Sequence, residues 1–205
     1  MLEVSGLACS RGDRSIFVDI DFSLSPGEWL HVEGENGAGK TSLLRIVAGL
    51  LAPVAGDIRW NGASVREARD DYNGRMLYLG HAPAIKEELT ALENLSAAAA
   101  IAGEPRDEAS LLAALRRVGL KARERLPVRH LSQGQKRRVA LARLPVSRAR
   151  LWILDEPFVA LDVAAVKMLK GLLDGHLEGG GMVLLTSHQE FALAGRGRSL
   201  VLGPR

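Results

Sequence analysis

Cysteine is nearly absent: Cys9 is the single one in 205 residues. No disulfide can form within the chain, which suits a reducing compartment, and Cys9 reads as a small buried or half-buried residue rather than a reactive thiol. Long hydrophobic runs are missing too. No apolar stretch approaches the roughly 18–20 residues that span a bilayer, so no direct membrane span is expected. The opening stretch MLEVSGLACSRGDRS carries acidic and arginine residues where a secretion signal would have its apolar core. Histidines and acids nowhere fall at the spacing of a protein-built metal cage. No internal repeat is visible, and Gly179–Gly181 reads as a turn, not a linker. A net charge of +3, from 27 basic and 24 acidic residues, suits a polyanionic ligand or a membrane surface and is explained equally by a solvated basic face. No nucleic-acid partner is expected.

The length fits one large domain, or one domain holding an inserted subdomain, with a real core. Near the N-terminus, SIFVDIDFSLSPGE alternates apolar and polar residues, the pattern of antiparallel strands with one wet face. Pro26-Gly27 supplies the turn before the strand-like run Trp29–Val32, and GDIRWNG, from Gly56, reads as a further strand and turn. Leu43, Leu44, Val47 and Leu50 recur at helical spacing, and Gly49 and Pro53 mark where that helix fades. From Leu89 to about Leu126 the pattern is helical. Thr90-Ala-Leu-Glu93 is a capping box that starts one helix at Ala91, and Gly119 closes the next. Leu151–Leu154 and Met182–His188 read as strands buried on both faces, separated by a helix over about Val163–Leu177. Strands alternating with helices predict a parallel sheet. The expected fold class is therefore α/β: a mainly parallel core sheet, an N-terminal antiparallel part, and a helical subdomain inserted over about 82–145 of a single domain, 1–205.

GENGAGKT stands between a strand and a helix, which is the setting a P-loop requires and a chance glycine loop lacks. In it the backbone of Gly34, Glu35, Asn36, Gly37, Ala38 and Gly39 can wrap phosphates with inward N–H groups. Lys40 then reaches the β and γ phosphates, the Thr41 hydroxyl binds Mg²⁺, and Ser42 follows in the first helical turn. Asp155-Glu156 ends a buried strand. Alone, such a pair would most simply cap a helix. Downstream of a P-loop, Asp155 can hold Mg²⁺, usually through water, and Glu156 can activate the attacking water. ATP and Mg²⁺ are the cofactors expected. His188 lies where the carboxyl edge of the sheet should be, in reach of a γ-phosphate. In LSQGQ, Ser132 and Gln135 form a capping box, and the Ser132 hydroxyl with the Gly134 amide makes a helix N-terminus into an anion site. The plainer reading is a helix cap and nothing more. His31 and His130 receive no role, and His176, in a polar helical stretch, reads as solvated.

In order, the P-loop, LSQGQ, LWILDEP, FVALD and TSH resemble ATP-binding cassette (ABC) ATPase subunits over almost the whole chain. LSQGQ resembles that family's signature motif, Phe158–Asp162 its D-loop and His188 its switch histidine. The stretches LYLGHAPAIKEELTALENL, LSQGQKRRVALARL and LWILDEPFVALD resemble the branch that serves cytochrome c maturation as a haem exporter. The resemblance implies a P-loop ATPase core and ATP hydrolysis, with Glu156, His188 and Lys40 as catalytic residues. It also implies a second copy of the chain in an ATP sandwich, with Ser132, Gly134, Gln135 and Asp162 at the nucleotide. It implies integral-membrane transporter subunits as partners, a peripheral place on the cytoplasmic face of the inner membrane, and a cargo of haem or a haem-loaded chaperone. Two positions depart from the family pattern. His81 stands where a glutamine usually senses Mg²⁺ and water, and histidine can still make one hydrogen bond there. Arg11 stands where an aromatic ring usually stacks on adenine, and a guanidinium plane can also stack. Pro145 should end the signature helix early. Other readings are the ATPase of another small ABC transporter, a soluble ABC machine, and a non-catalytic ATP-gated clamp. Soluble machines usually carry two ATPase units, coiled coils or zinc-binding cysteines, and Glu156 argues against the clamp.

Overall fold

A computed structural model describes residues 1–203; the last two residues of the expected 1–205 domain lie outside the described residues. The alternating N-terminal stretch forms β2 (Arg14–Leu24), antiparallel to β1 (Leu2–Arg11). β1 also pairs antiparallel with β4 (Ala55–Trp60), which pairs with the short β5 (Ala63–Ser64). The sheet order is thus β2-β1-β4-β5. The second sheet has the order β6-β7-β8-β3-β9, from β6 (Met76–Leu79), β7 (Leu151–Leu154), β8 (Met182–Thr186), β3 (Glu28–Gly34) and β9 (Arg196–Leu202). Its β7–β8, β8–β3 and β3–β9 pairs are parallel. Both β7 and β8 are buried at every residue, as their unbroken apolar runs require. The protein is α/β, with one parallel and one antiparallel sheet.

The helices are α1 (Lys40–Val47), α2 (Arg69–Arg75), α3 (Ala91–Ile101), α4 (Glu108–Arg117), α5 (Gln133–Leu141) and α6 (Val163–Glu178). α1 is shorter than the leucine spacing suggests: Leu43, Leu44 and Val47 are buried, but the helix stops at Val47 and Leu50 is 63% exposed. Gly49, at φ 69°, turns the chain away first. α3 begins at Ala91 with both halves of the Thr90/Glu93 capping box formed, and Gly119 closes the turn after α4 at φ 81°. α5 ends three residues before Leu144–Val146, a single 3₁₀ turn that holds Pro145.

Two compact units emerge. One comprises Met1–Tyr78, Ala149–Pro157 and the chain from His176; the other comprises Leu79–Arg148 and Phe158–Gly175. The first holds both sheets around a core that includes Leu2, Leu7, Leu43, Leu44, Leu151 and Leu184. The second holds α3, α4 and α5, with Leu95, Leu115, Leu120 and Leu141 buried. One residue in the first unit behaves against expectation. His176 is not solvated: its ring stacks on Trp152 with centroids 3.7 Å apart and an interplanar angle of 4°. Burial pushes its imidazole down to about 4. A polar neighbourhood along the chain did not reveal that this face of the helix end turns inward.

Candidate functional site

Strand β3 runs straight into the glycine loop, and the loop runs straight into α1. Gly39, the residue before α1, has φ 98°, and a Cβ there would sit 2.4 Å from the Ile16 side chain, so glycine is required on both counts. No side chain caps α1 and no acid lies in its first turn. Its first N–H groups and the positive end of its dipole therefore suit an anion. Lys40 Nζ donates to the carbonyls of Gly34, at 2.7 Å, and Glu35, at 3.1 Å, curling over the loop it serves. A cavity of about 470 Å³ adjoins Glu35–Ala38 and is walled by Arg14–Ile20 and Val201–Gly203. Arg11 is not on that wall; it stands exposed at the end of β1, opposite Arg14 in the hairpin register.

Strand β7 delivers the two acids to the same end of the sheet. Asp155 is 1% exposed, and its Oδ2 accepts the Thr41 hydroxyl at 2.9 Å. Its Oδ1 accepts the Thr186 hydroxyl at 2.8 Å. The backbone N–H of Glu156 donates to that same Thr186 oxygen at 2.9 Å. Glu156 has φ 51°, the left-handed region that a residue with a side chain adopts only under constraint. His188 closes over Glu156: its N–H donates to Oε2 at 3.3 Å, and its Nε2 lies 3.4 Å from Oε1. His31 braces this loop from β3. Its Nε2 is 3.1 Å from the Ser187 carbonyl and its Nδ1 is 3.0 Å from a Glu33 carboxylate oxygen. Tyr78 on β6 is half-buried, and burial first, then the Asp155 charge, raises its phenol.

Oxygen donors gathered around one point suit a hard cation. Thr41 and Asp155 provide a hydroxyl and a carboxylate 2.9 Å apart beside the phosphate cradle. Among the described residues no group of three or more His, Cys, Asp or Glu could hold a metal unaided. An ion at Thr41 and Asp155 would complete its shell with nucleotide and water oxygens.

The remaining sequence-derived residues lie in the second unit. Ser132 caps α5: its Oγ accepts the Gln135 N–H at 3.3 Å, and the Gln135 side chain accepts the Ser132 N–H at 3.0 Å. The cap uses a lone pair and leaves the hydroxyl proton to donate elsewhere. A Cβ on Gly134 would lie 2.8 Å from the Ala160 carbonyl, so only glycine fits between α5 and the Phe158–Asp162 turn. Asp162 accepts the Ala165 N–H at 2.8 Å at the start of α6 and pairs with Arg138 at 2.7 Å. His81 is exposed, and its carbonyl, with that of Gly80, is held by the buried Arg137 at 3.1 and 3.0 Å. Thus Gly34–Ser42, Asp155, Glu156 and His188 come together in one unit, while His81, Ser132, Gly134, Gln135 and Asp162 belong to the other. Sequence reasoning missed Thr186, His31 and Arg137. The only signal for Thr186 was a hydroxyl closing an otherwise apolar strand.

Residues 17–159 match the ABC transporter family. Over 204 residues the chain is 56% identical to the cytochrome c biogenesis ATP-binding export protein CcmA of Dechloromonas aromatica, covering 99% of this chain and 100% of that one. The protein of the same name from Nitrosomonas europaea is 53% identical over 95% of this chain and 91% of its own. Among solved structures, an ABC transporter ATP-binding protein from Pyrococcus furiosus superposes with a TM-score of 0.84 at 26% identity, covering 97% of this chain and 96% of that one. A dimeric ATP-binding cassette bound to ADP and phosphate shares the fold at a TM-score of 0.82 and 21% identity, over 92% of this chain and 88% of its own.

Proposed function

This chain belongs to the ABC transporter family as an ATP-hydrolysing subunit, and from that premise we propose that it powers a membrane complex of cytochrome c biogenesis. The observation that carries the catalytic part is the contiguity of Thr41, Asp155, Glu156 and His188 at the head of the glycine loop. The biogenesis part rests on the likeness over nearly full length to relatives so named. The cargo implied is haem or a haem-loaded chaperone, and the place implied is the cytoplasmic face of the inner membrane. Among the described residues no helix is long and apolar enough to cross a membrane, and in this reading integral-membrane subunits supply the transport path.

In this reading the loop N–H groups and the N-terminus of α1 bind the phosphates. Lys40 exchanges the Gly34 and Glu35 carbonyls for β- and γ-phosphate oxygens, a stronger charge-assisted pairing. Mg²⁺ held by Thr41 and Asp155 neutralises phosphate charge when bound. Glu156 accepts a proton from water as the water oxygen attacks the γ-phosphorus, and the bond to the ADP oxygen breaks. His188 steadies the Glu156 carboxylate and reaches the γ-phosphate. A second copy of the chain supplies Ser132, Gly134, Gln135 and Asp162 across a head-to-tail dimer, which the unspent proton of the Ser132 hydroxyl supports. The helical subdomain, 82–145, takes the load of the membrane partner, with His81 at its entry sensing the nucleotide and Arg11 offering a plane to the base.

The reading is tested in cells that lack their own subunit. The parental chain should restore covalent haem attachment to c-type cytochromes, and a Glu156→Gln chain at equal abundance should not. Restoration by Glu156→Gln, or no restoration by the parental chain when its membrane partners are co-expressed, overturns it.

A further inference from the structure

We propose that Thr186 is the positioning residue that aims both acids of the hydrolytic site; the proposal rests on the reading of Asp155 and Glu156 given above. Thr186 ends β8, the run Met182–Thr186, and is 0% exposed. A hydroxyl buried that deeply costs free energy unless it is bonded. Here it is bonded twice, donating to Asp155 Oδ1 at 2.8 Å and accepting from the Glu156 N–H at 2.9 Å. Neither bond can be reversed, because an ionised carboxylate only accepts and a backbone N–H only donates. The proton of Thr186 therefore has one position, and the hydroxyl links two consecutive residues of β7's end to the neighbouring strand.

Two consequences follow for the chemistry. With Oδ1 engaged by Thr186, the Asp155 carboxylate is turned so that Oδ2 faces Thr41. Any cation at Thr41 then meets one defined oxygen. Glu156 sits at φ 51°, and its N–H bond to Thr186 helps keep the backbone in that strained region. That backbone turn sends the Glu156 side chain toward His188 instead of along the strand. Without the hydroxyl, the acids would remain but their aim would loosen, and displacements near 1 Å at a reacting group are costly in rate.

The experiment compares Thr186→Val, which keeps the branched shape without the hydroxyl, with Thr186→Ser, which keeps the hydroxyl without the methyl. ATPase kinetics of the intact subunit are read as functions of ATP and of Mg²⁺. Thr186→Val should lower kcat by about 10–100-fold and raise the Mg²⁺ concentration for half-maximal activity several-fold, the usual scale for a partner behind a metal ligand. Its KM for ATP should move by less than about threefold, because the glycine loop and Lys40 are untouched. Thr186→Ser should recover most of kcat and the parental Mg²⁺ dependence. Parental kcat and Mg²⁺ dependence in Thr186→Val would overturn the proposal. So would equal impairment of the Ser and Val chains, which would make packing the cause. Should Thr186→Val not fold, Thr186→Cys offers a weak donor in a similar volume: reduced kcat at a near-parental unfolding midpoint is expected, and parental kcat overturns the idea. Glu156→Gln, assayed in parallel, separates the two layers, since turnover in that chain would refute the site reading itself.

Discussion

Lys40 is the side-chain cation that the glycine loop itself contributes, and its two carbonyl bonds show how little reach it needs to stay over the loop. Lys40→Ala should lower ATPase activity by at least about 100-fold, the scale of removing one donor to developing charge, while the unfolding midpoint stays near parental. Turnover at the parental rate would remove the loop from the mechanism. His176 makes a prediction of a different kind. Its imidazole is pushed from 6.5 down to about 4, mainly by burial against Trp152. The unfolded chain takes up the proton near pH 6.5 and the folded chain only near pH 4. The contribution of the neutral ring is therefore intact above pH 6.5 and is lost as pH falls toward 4, by on the order of 2 kcal/mol once screening at the partly exposed ring is allowed for. Urea midpoints between those pH values should slope for the parental chain, and the slope should shrink in His176→Gln even though that chain is less stable throughout. Identical slopes would mean that the ring is not buried neutral.

At the scale of elements, α5 is tied down at both its cap and its body. Ser132 spends an acceptor on the cap and keeps a donor. Ser132→Asp preserves the capping acceptor but replaces that donor with a negative charge. Its unfolding free energy should lie within about 0.5 kcal/mol of parental, since aspartate caps as well as serine, yet ATP-driven association should disappear. If Ser132→Asp associates normally with ATP, the serine is a cap and nothing more. Farther along α5, Arg137 holds the carbonyls of Gly80 and His81 in a buried setting. Arg137→Ala should cost about 1.5–3 kcal/mol in urea unfolding, because two part-buried carbonyls lose a buried charged donor. A loss below 1 kcal/mol would mean that water replaces the guanidinium.

At the scale of the whole molecule, the proposed head-to-tail dimer would give each chain two half-sites. Lys40 and Glu156 lie in the unit that holds both sheets, and Ser132 and Gly134 lie in the helical unit. A head-to-tail dimer joins unlike halves, so a Lys40→Ala chain mixed with a Ser132→Arg chain forms one doubly damaged site and one intact site. Each chain alone should remain monomeric in ATP. The mixture should form a heterodimer holding one nucleotide, measured by mass photometry and bound-nucleotide analysis. Heterodimers without bound nucleotide would argue against shared sites.

The sequence by itself determined whatever depends on neighbours along the chain. The glycine loop, the capping boxes at Thr90 and Ser132, the buried strands β7 and β8 and the acids that end β7 all follow from spacing and short-range chemistry. β9 was invisible, because RGRSLVL shows neither alternation nor a full apolar run. It becomes a strand by pairing with β3 along the whole of Glu28–Gly34. Likewise α1 looked longer than it is, since Leu50 kept the helical spacing after Gly49 had already turned the chain. Only the tertiary structure decided which distant atoms meet. Thr186 is bonded to an acid 31 residues away, His31 to a carbonyl 156 residues away, and Arg137 to carbonyls 56 and 57 residues away. Helical and strand periodicity say which face of an element is buried but not which residue of another element lies opposite. The aim of Asp155 and Glu156, unlike their presence, is therefore a property of how β8 lies beside β7.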